Sequence, residues 1–455
     1  MSVKMLLILL ALMPLYYGGV YVWNWAAASI FIGLHAVFLT VQLTIGRELR
    51  QVPFGALKWA LVCYILVLFW MVLQWSSLSP EAWHHSLWRA SADVVGIPYA
   101  GHISVDPYAT YEAGLKLITY AVMMLITIQV GRTARNAYRG FIGLLIIIAV
   151  YSGFGLFAWL LDGAGFLWFD ESALSGQLTV QGRMALPFVN ANHLAAYTGM
   201  GLIICSGLML KQYFSFVGGV AREPRGIRRF LLHLMSEQAY LPIAFVLLST
   251  VLLLTQSRAG VFSVAVGLLT LIVGSQRASL LGVGVKRLIT SSFVVFGLTT
   301  IYISYDQLVG RFVKQGVNLD LRGEIYEQSF ALIQASPWLG YGAGSYPTIA
   351  RMYGDREATY VLGFAHSTVL ENVVELGAPG AFFLFLALGI LMLRCWKGIR
   401  LRNRNQIVPI IGFAICVQML LHSLVDFPLQ VPAIGMTFCF VLALGFSQSI
   451  SERYA

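Results

Sequence analysis

The sequence predicts an all-α polytopic membrane protein of about twelve transmembrane helices, with one large, partly helical external loop before the last three spans. Three observations carry that reading. Hydrophobic residues make up 58% of the 455 positions and charged residues only 11%, for a mean hydropathy of +0.76. So few charges cannot cover the surface of a water-soluble protein of this length. The apolar residues fall in runs long enough to cross a hydrocarbon core of about 30 Å. No alternating pattern of short strands is present, so helices rather than a barrel satisfy the backbone. Finally, the basic residues sort into alternate connecting loops.

The apolar runs start near Met5, Ala26, Ala56, Thr110, Gly140, His193, Leu241, Ala259, Leu288, Ala378, Gln406 and Val431. Only Lys4 precedes the first run and no small-residue cleavage site follows it, so it reads as a retained helix rather than a signal peptide. Arginines crowd the loops at 132–139, 222–229 and 394–404. The positive-inside rule makes that side cytoplasmic and places both termini there. The net charge of +10 is therefore a topology signal and not a nucleic-acid signal. The longest cytoplasmic loop, 211–240, reads as an amphipathic surface helix. No repeat, low-complexity tract or soluble domain interrupts the chain, so 1–455 is one integral membrane domain. Cys63, Cys205, Cys395, Cys416 and Cys439 lie in or beside apolar runs and read as small core hydrophobes.

The external side holds loops at 77–109 and 162–192 and a large one at 305–377. Within the last, 322–335 reads as a helix whose apolar face is Ile325, Phe330, Leu332 and Ile333. Pro337 and the glycines of Gly340-Tyr341-Gly342-Ala343-Gly344 end it. A second helix starts at His366 and runs into the tenth span, bent near Pro379.

Four external constellations can carry chemistry. In Thr255-Gln256-Ser257-Arg258-Ala259-Gly260, Arg258 sits at a membrane edge among small residues. Its guanidinium suits bidentate phosphate binding, and it equally suits snorkelling to the boundary. In 181–193, Arg183 is a second candidate phosphate clamp, Asn190 or Asn192 can cap the next span, and His193 opens it. In 365–377, His366 lies five residues before Glu371, and Glu371 four before Glu375. A histidine near its ordinary pKa can take a proton at neutral pH, and either glutamate can orient it. The other reading of the glutamates is a solvated helix start. In 422–432, His422 and Asp426 stand four apart and can meet on one helix face, as a structural bond or as part of an acceptor path.

Together these residues resemble the O-antigen ligase and O-antigen polymerase family, membrane glycosyltransferases of the GT-C type. The carrying motifs are Gly182-Arg183, Pro187-Phe188, Asn190-Ala191-Asn192-His193 and Ser257-Arg258-Ala259-Gly260. They continue with Arg322, Pro337-Trp338-Leu339-Gly340-Tyr341-Gly342, His366-Ser367, Leu370-Glu371 and Glu375-Leu376-Gly377. The resemblance implies transfer of a glycan from an undecaprenyl-diphosphate carrier to an acceptor sugar hydroxyl at the periplasmic face of the bacterial inner membrane. It implies inversion at the anomeric carbon, and neither cofactor nor metal. An external Asp-x-Asp is absent, in keeping with that. By motif, Arg183 and Arg258 clamp the donor diphosphate, Arg322 adds charge or holds the loop helix, and His366 is catalytic. Asn192, His193, Glu371, Glu375, His422 and Asp426 stand on the supporting or acceptor side.

Two jobs share this chemistry. A polymerase extends a lipid-linked glycan, and a ligase delivers the finished glycan to lipid A-core. The segment from His422 to Ala433 resembles the exopolysaccharide polymerase branch and favours chain extension. Partners on that reading are the lipid-linked donor, the glycan acceptor, membrane lipids and a polysaccharide chain-length regulator. Twelve spans with both ends inside also suit a secondary transporter or flippase. A transporter places polar groups at mid-span, whereas 61–73, 145–150 and 382–391 are apolar at their centres and the ionisable groups gather at one face.

Overall fold

The computed structural model describes residues 2–45, 54–161, 183–217, 235, 237–277, 316–353, 363–402 and 405–450, with the backbone alone described at 2, 43, 214–217, 276–277 and 316–322. Every regular element among them is helical. In chain order they are α1 (Ser2–Leu12), α2 (Val22–Thr44), α3 (Phe54–Trp75), α4 (Ser86–Val95), α5 (Pro107–Val130), α6 (Ala134–Leu160) and α7 (Ala191–Val217). Then follow α8 (Tyr240–Leu254), α9 (Arg258–Arg277), α10 (Gly316–Ala335), α11 (Tyr346–Tyr353), α12 (Thr368–Leu401), α13 (Ile407–Ser423) and α14 (Pro432–Ser447). Each predicted run except the ninth, at Leu288, starts inside one of these helices or at its N-cap. The Leu288 run and most of the 211–240 loop lie outside the described residues. Among the described residues seven helices are long and apolar enough to cross a membrane, and α1, α8, α13 and α14 are shorter apolar helices.

Burial divides the bundle into a centre and a rim. In α7, 83% of the spanning window is buried, against 28% in α3 and 33% in α2. Rim helices carry apolar stripes outward at helical spacing: Ile30 and Leu34 on α2, Ile65 and Phe69 on α3, Ile146 and Val150 on α6. These stripes are a lipid-facing surface, since water would not tolerate them. Among the central helices, α13 packs on α7, α9 and α14, and α7 packs on α9. Where α13 crosses α14, a Cβ on Gly412 would come within 2.9 Å of the Gly445 backbone, so the two helices touch through glycine.

Local chemistry sets the helix ends near the candidate site. Asp106 accepts from the Ala109 N–H and Thr133 from the Asn136 N–H, capping α5 and α6. Ser367 caps α12 by accepting from the Leu370 N–H, so that helix starts at Thr368 and His366 stands outside it. The bend in α12 is at Gly377 (φ 67°), two residues before the predicted Pro379. A break there frees backbone carbonyls and an N–H that lipid cannot satisfy, and the loop and α3 together supply their partners. Gly342 N–H binds the Glu375 carbonyl, Ala378 N–H binds Pro337, and Trp70 Nε1 binds Leu376. Gln74, fully buried, donates to both Leu339 and Glu375 carbonyls.

The external-loop helix α10 buries Ile325, Ser329 and Leu332, which share one face. Phe330, assigned to that face from the sequence, is 53% exposed. It lies one position off the buried row, and a single step rotates a helical residue by about 100°.

Candidate active site

Four chain segments far apart in sequence meet at one end of the bundle. The Asn190 side chain accepts from the Asn192 N–H at 2.8 Å, so Asn190 is the residue that caps α7. That leaves the Asn192 amide for tertiary contacts. Its Oδ1 accepts from Arg183 at 3.0 Å and its Nδ2 donates to Asp426. Arg183 Nε donates to the Thr255 carbonyl at 2.9 Å, three residues before Arg258. Asp426 completes the tie, because its own carbonyl accepts from both the N–H and the hydroxyl of Thr368, at 3.0 and 3.1 Å. A single chain of bonds therefore runs Thr255, Arg183, Asn192, Asp426, Thr368.

Asp426 is fully buried. Its Oδ1 accepts from the Phe427 N–H at 2.8 Å and lies 3.7 Å from His193 Nε2. Burial pushes the carboxyl pKa up, but the neighbouring His193 and His422 rings and the Phe427 N–H outweigh it and hold Asp426 below the usual carboxylate range. Asp426 is thus an anion at neutral pH, held by the Asn192 amide and the Phe427 N–H with the His193 ring beside it.

Phe427 is the hub of an aromatic cluster. Its ring stacks on Phe364 with centroids 4.2 Å apart. His193 meets it edge-on at 4.8 Å and His366 at 5.4 Å. The two histidines therefore share one aromatic wall. His366 has a left-handed backbone (φ 48°), which costs a non-glycine residue about 1 kcal/mol and has to be held by its surroundings. Tyr326 on α10 donates to the His366 carbonyl at 3.3 Å, and Ser367 caps the helix that follows.

Arg258 is the first residue of α9 and exposed, with Ser257 Oγ accepting from the Gly260 N–H beneath it. A cation at the positive end of a helix is electrostatically disfavoured until an anion joins it. Arg322 lies on α10, one turn before Tyr326; its side chain is outside the described residues.

Two expectations need correction. Glu371 and Glu375 are 3% and 7% exposed, so neither is a solvated helix-start carboxylate. Glu371 accepts from the Ala365 N–H and the Gln430 amide, and Glu375 from the Tyr346 N–H. Those bonds go to the loops on either side of His366, so the glutamates fix the path of the chain that carries it. His422 and Asp426 do not pair on one helix face either. The helix stops at Ser423, Asp426 turns toward α7, and its carboxylate oxygens are taken by Asn192 and Phe427. The His422 ring is buried and makes no hydrogen bond among the described residues.

Sequence reasoning missed Thr368, Tyr326 and Gln74. Each acts through a contact with a backbone carbonyl remote in the chain, and hydroxyls or amides in apolar runs give no local sign of that. Among the described residues no group of three His, Cys, Asp or Glu side chains could hold a metal ion.

The fold and site thus define a multi-pass helical membrane protein with a cluster of arginine, histidine and carboxylate groups at one end. Residues 243–386 match the model of the O-antigen ligase family, which supports the resemblance of this chain to O-antigen ligases and polymerases. No curated protein matches the chain. The matched segment contains Arg258, Arg322, His366, Glu371 and Glu375. Arg183, Asn192, His193, His422 and Asp426 lie outside it.

Proposed function

We propose that this protein is an inverting glycosyltransferase that moves a glycan from an undecaprenyl-diphosphate carrier to an acceptor sugar hydroxyl, at the periplasmic face of the bacterial inner membrane. The observation that carries the reading is the bonded chain from Thr255 through Arg183, Asn192 and Asp426 to Thr368. It holds the Arg183 and Arg258 segment beside the Phe427 wall on which His366 rests.

Arg183 and Arg258 serve as the donor clamp. The leaving group is an anionic lipid diphosphate, and fixed cations stabilise the charge that grows on it as the glycosidic bond breaks. His366 serves as the base. Its neutral imidazole takes the proton of the acceptor hydroxyl, the oxygen attacks the anomeric carbon from the face opposite the diphosphate, and the configuration inverts. Asp426 keeps Asn192 and His193 in place, and through Asn192 it orients Arg183. We assign the job to chain extension, in which the acceptor is itself lipid-linked, with ligation to lipid A-core as the other outcome.

The test is incubation of purified protein with a defined lipid-diphosphate glycan and candidate acceptors, with mass analysis of products. A glycan extended by whole units on a lipid carrier is expected. Transfer only to lipid A-core makes it a ligase, and no transfer with any acceptor ends the reading. Transport of the intact lipid across vesicles without transfer would put the flippase reading in its place.

A further inference from the structure

A cavity of about 460 Å³ lies between α3, α5, α12 and α14. Its body is apolar, walled by residues such as Leu61, Met124, Leu388 and Leu442. Leu61, Met124 and Leu388 are partly exposed, so the space is not sealed inside the protein. Polar groups gather at the N-terminal end of α12: Lys116, Glu371, Glu375, Asn372 and Gln430.

Those polar groups differ in what they leave available. Glu371 and Glu375 already accept from Ala365, Gln430 and Tyr346, and Asn372 donates to the Thr368 carbonyl. Lys116 lies over the Trp25 ring at 4.8 Å and makes no hydrogen bond among the described residues, although the Glu112 and Glu375 carboxyls attract it. A lysine within a membrane span, facing an apolar space, is costly unless it meets a partner. A hydrocarbon chain fills such a space, and a phosphate at its end meets the ammonium. At about 30 Å³ for each small group, the share of one water in the liquid, the cavity takes roughly fifteen such groups. That is one chain and not several.

The cavity is apart from the arginine clamp. Arg258 starts α9, which packs on α7 and α13, and none of these three helices lines the cavity. A carrier lipid has a single diphosphate, so a lipid whose phosphate end meets Lys116 is a different molecule from one whose diphosphate rests on Arg183 and Arg258. The upper wall nevertheless reaches the site: Phe364 and Thr368 line the cavity, and Phe364 stacks on Phe427, the ring that His366 edges.

We propose that this cavity seats the single aliphatic chain of a lipid phosphate, with its phosphate on Lys116, as the anchor of the glycan acceptor. The assignment to the acceptor rests on the donor reading of Arg183 and Arg258. One carrier chain fits it better than the several acyl chains of lipid A.

The test is photolabelling of the purified protein with a diazirine-tailed geranylgeranyl phosphate, with labelled peptides mapped by mass spectrometry. Labels are expected around Met124, Leu388 and Leu442. Lys116→Ala and Leu388→Trp, each eluting as the wild type does, should cut that labelling about tenfold, while Arg183→Ala and Arg258→Ala leave it unchanged. A diazirine-tailed phosphatidylglycerol should label these peptides weakly. Equal labelling by both probes would mean bulk lipid only and would overturn the proposal. Loss of label in Arg258→Ala would overturn it too, because one lipid would then span both places. Labelling as expected, together with full glycan transfer by Arg258→Ala, would instead sink the donor clamp and leave the lipid-phosphate site standing.

Discussion

At the scale of single residues, Asp426 shows why a buried anion can organise a site. Its carboxylate is held below its ordinary range, so it stays ionised at neutral pH. A group with a depressed folded-state pKa stabilises the fold fully above its unfolded value near ~3.9, and loses that contribution as pH falls through the folded value. The difference in thermal midpoint between wild type and Asp426→Asn should therefore be present at neutral pH and shrink as the pH falls below about 4. A difference that persists unchanged into strong acid would contradict this. Asp426→Ala leaves the Asn192 amide and Phe427 N–H without an acceptor and should cost about 1–3 kcal/mol for each unmet donor. His366→Ala should leave the midpoint and donor binding near wild type while turnover falls about 10²- to 10⁴-fold. Full turnover in that variant removes His366 as the base. Arg183→Lys should recover only part of the activity lost in Arg183→Ala, because a point charge cannot serve Thr255 and Asn192 together as the guanidinium does.

At the scale of elements, the break in α12 decides where His366 stands. Gly377 has φ 67°, and a Cβ there would lie 2.4 Å from the Trp338 carbonyl oxygen. Gly377→Ala should thus cost about 1–3 kcal/mol from the backbone alone, with the clash in addition. Gly323 on α10 is the contrast, since a Cβ there meets nothing within 4 Å. Gly323→Ala should be neutral or stabilise by about 0.5–1 kcal/mol. Thermal unfolding of the two variants side by side checks both, and equal midpoints would refute the strained-break account. The helix starts were legible in sequence only to within a few residues: the run placed at Thr110 starts at Pro107, and the helix placed at His366 starts at Thr368 behind its Ser367 cap. The position of the break was not legible, because Pro379 is the louder local signal and Gly377 is demanded by the loop that docks on it.

At the scale of the whole molecule, the charge pattern and the contacts agree at the end opposite the site. Lys211 sits over the Tyr138 ring at 3.4 Å, Tyr138 binds Asn405, and Arg402 donates to the Ile450 carbonyl. These contacts draw the ends of α6, α7, α12 and α14 together, as expected if their basic residues share one face. A membrane-impermeant thiol reagent should label Tyr353→Cys in intact cells and leave Leu401→Cys untouched. The reverse pattern would invert the topology. Loss of the gene separates the two jobs. A missing polymerase leaves single repeat units, whereas long chains still on undecaprenyl diphosphate would identify a ligase.

The sequence by itself determined that this chain is a multi-pass helical bundle, where most of its helices begin to within a few residues, and which segments carry the arginines and histidines. Those properties follow from hydropathy, caps and charge, which act within a few residues or against the membrane as a solvent. Tertiary structure decided which of those side chains meet. Arg183 reaches Thr255, Asn192 reaches Asp426, and Glu371 reaches Gln430, each across a stretch of chain whose spacing carries no trace of the contact. In an apolar interior a polar side chain must find its partner wherever packing brings one, and that choice belongs to the fold as a whole.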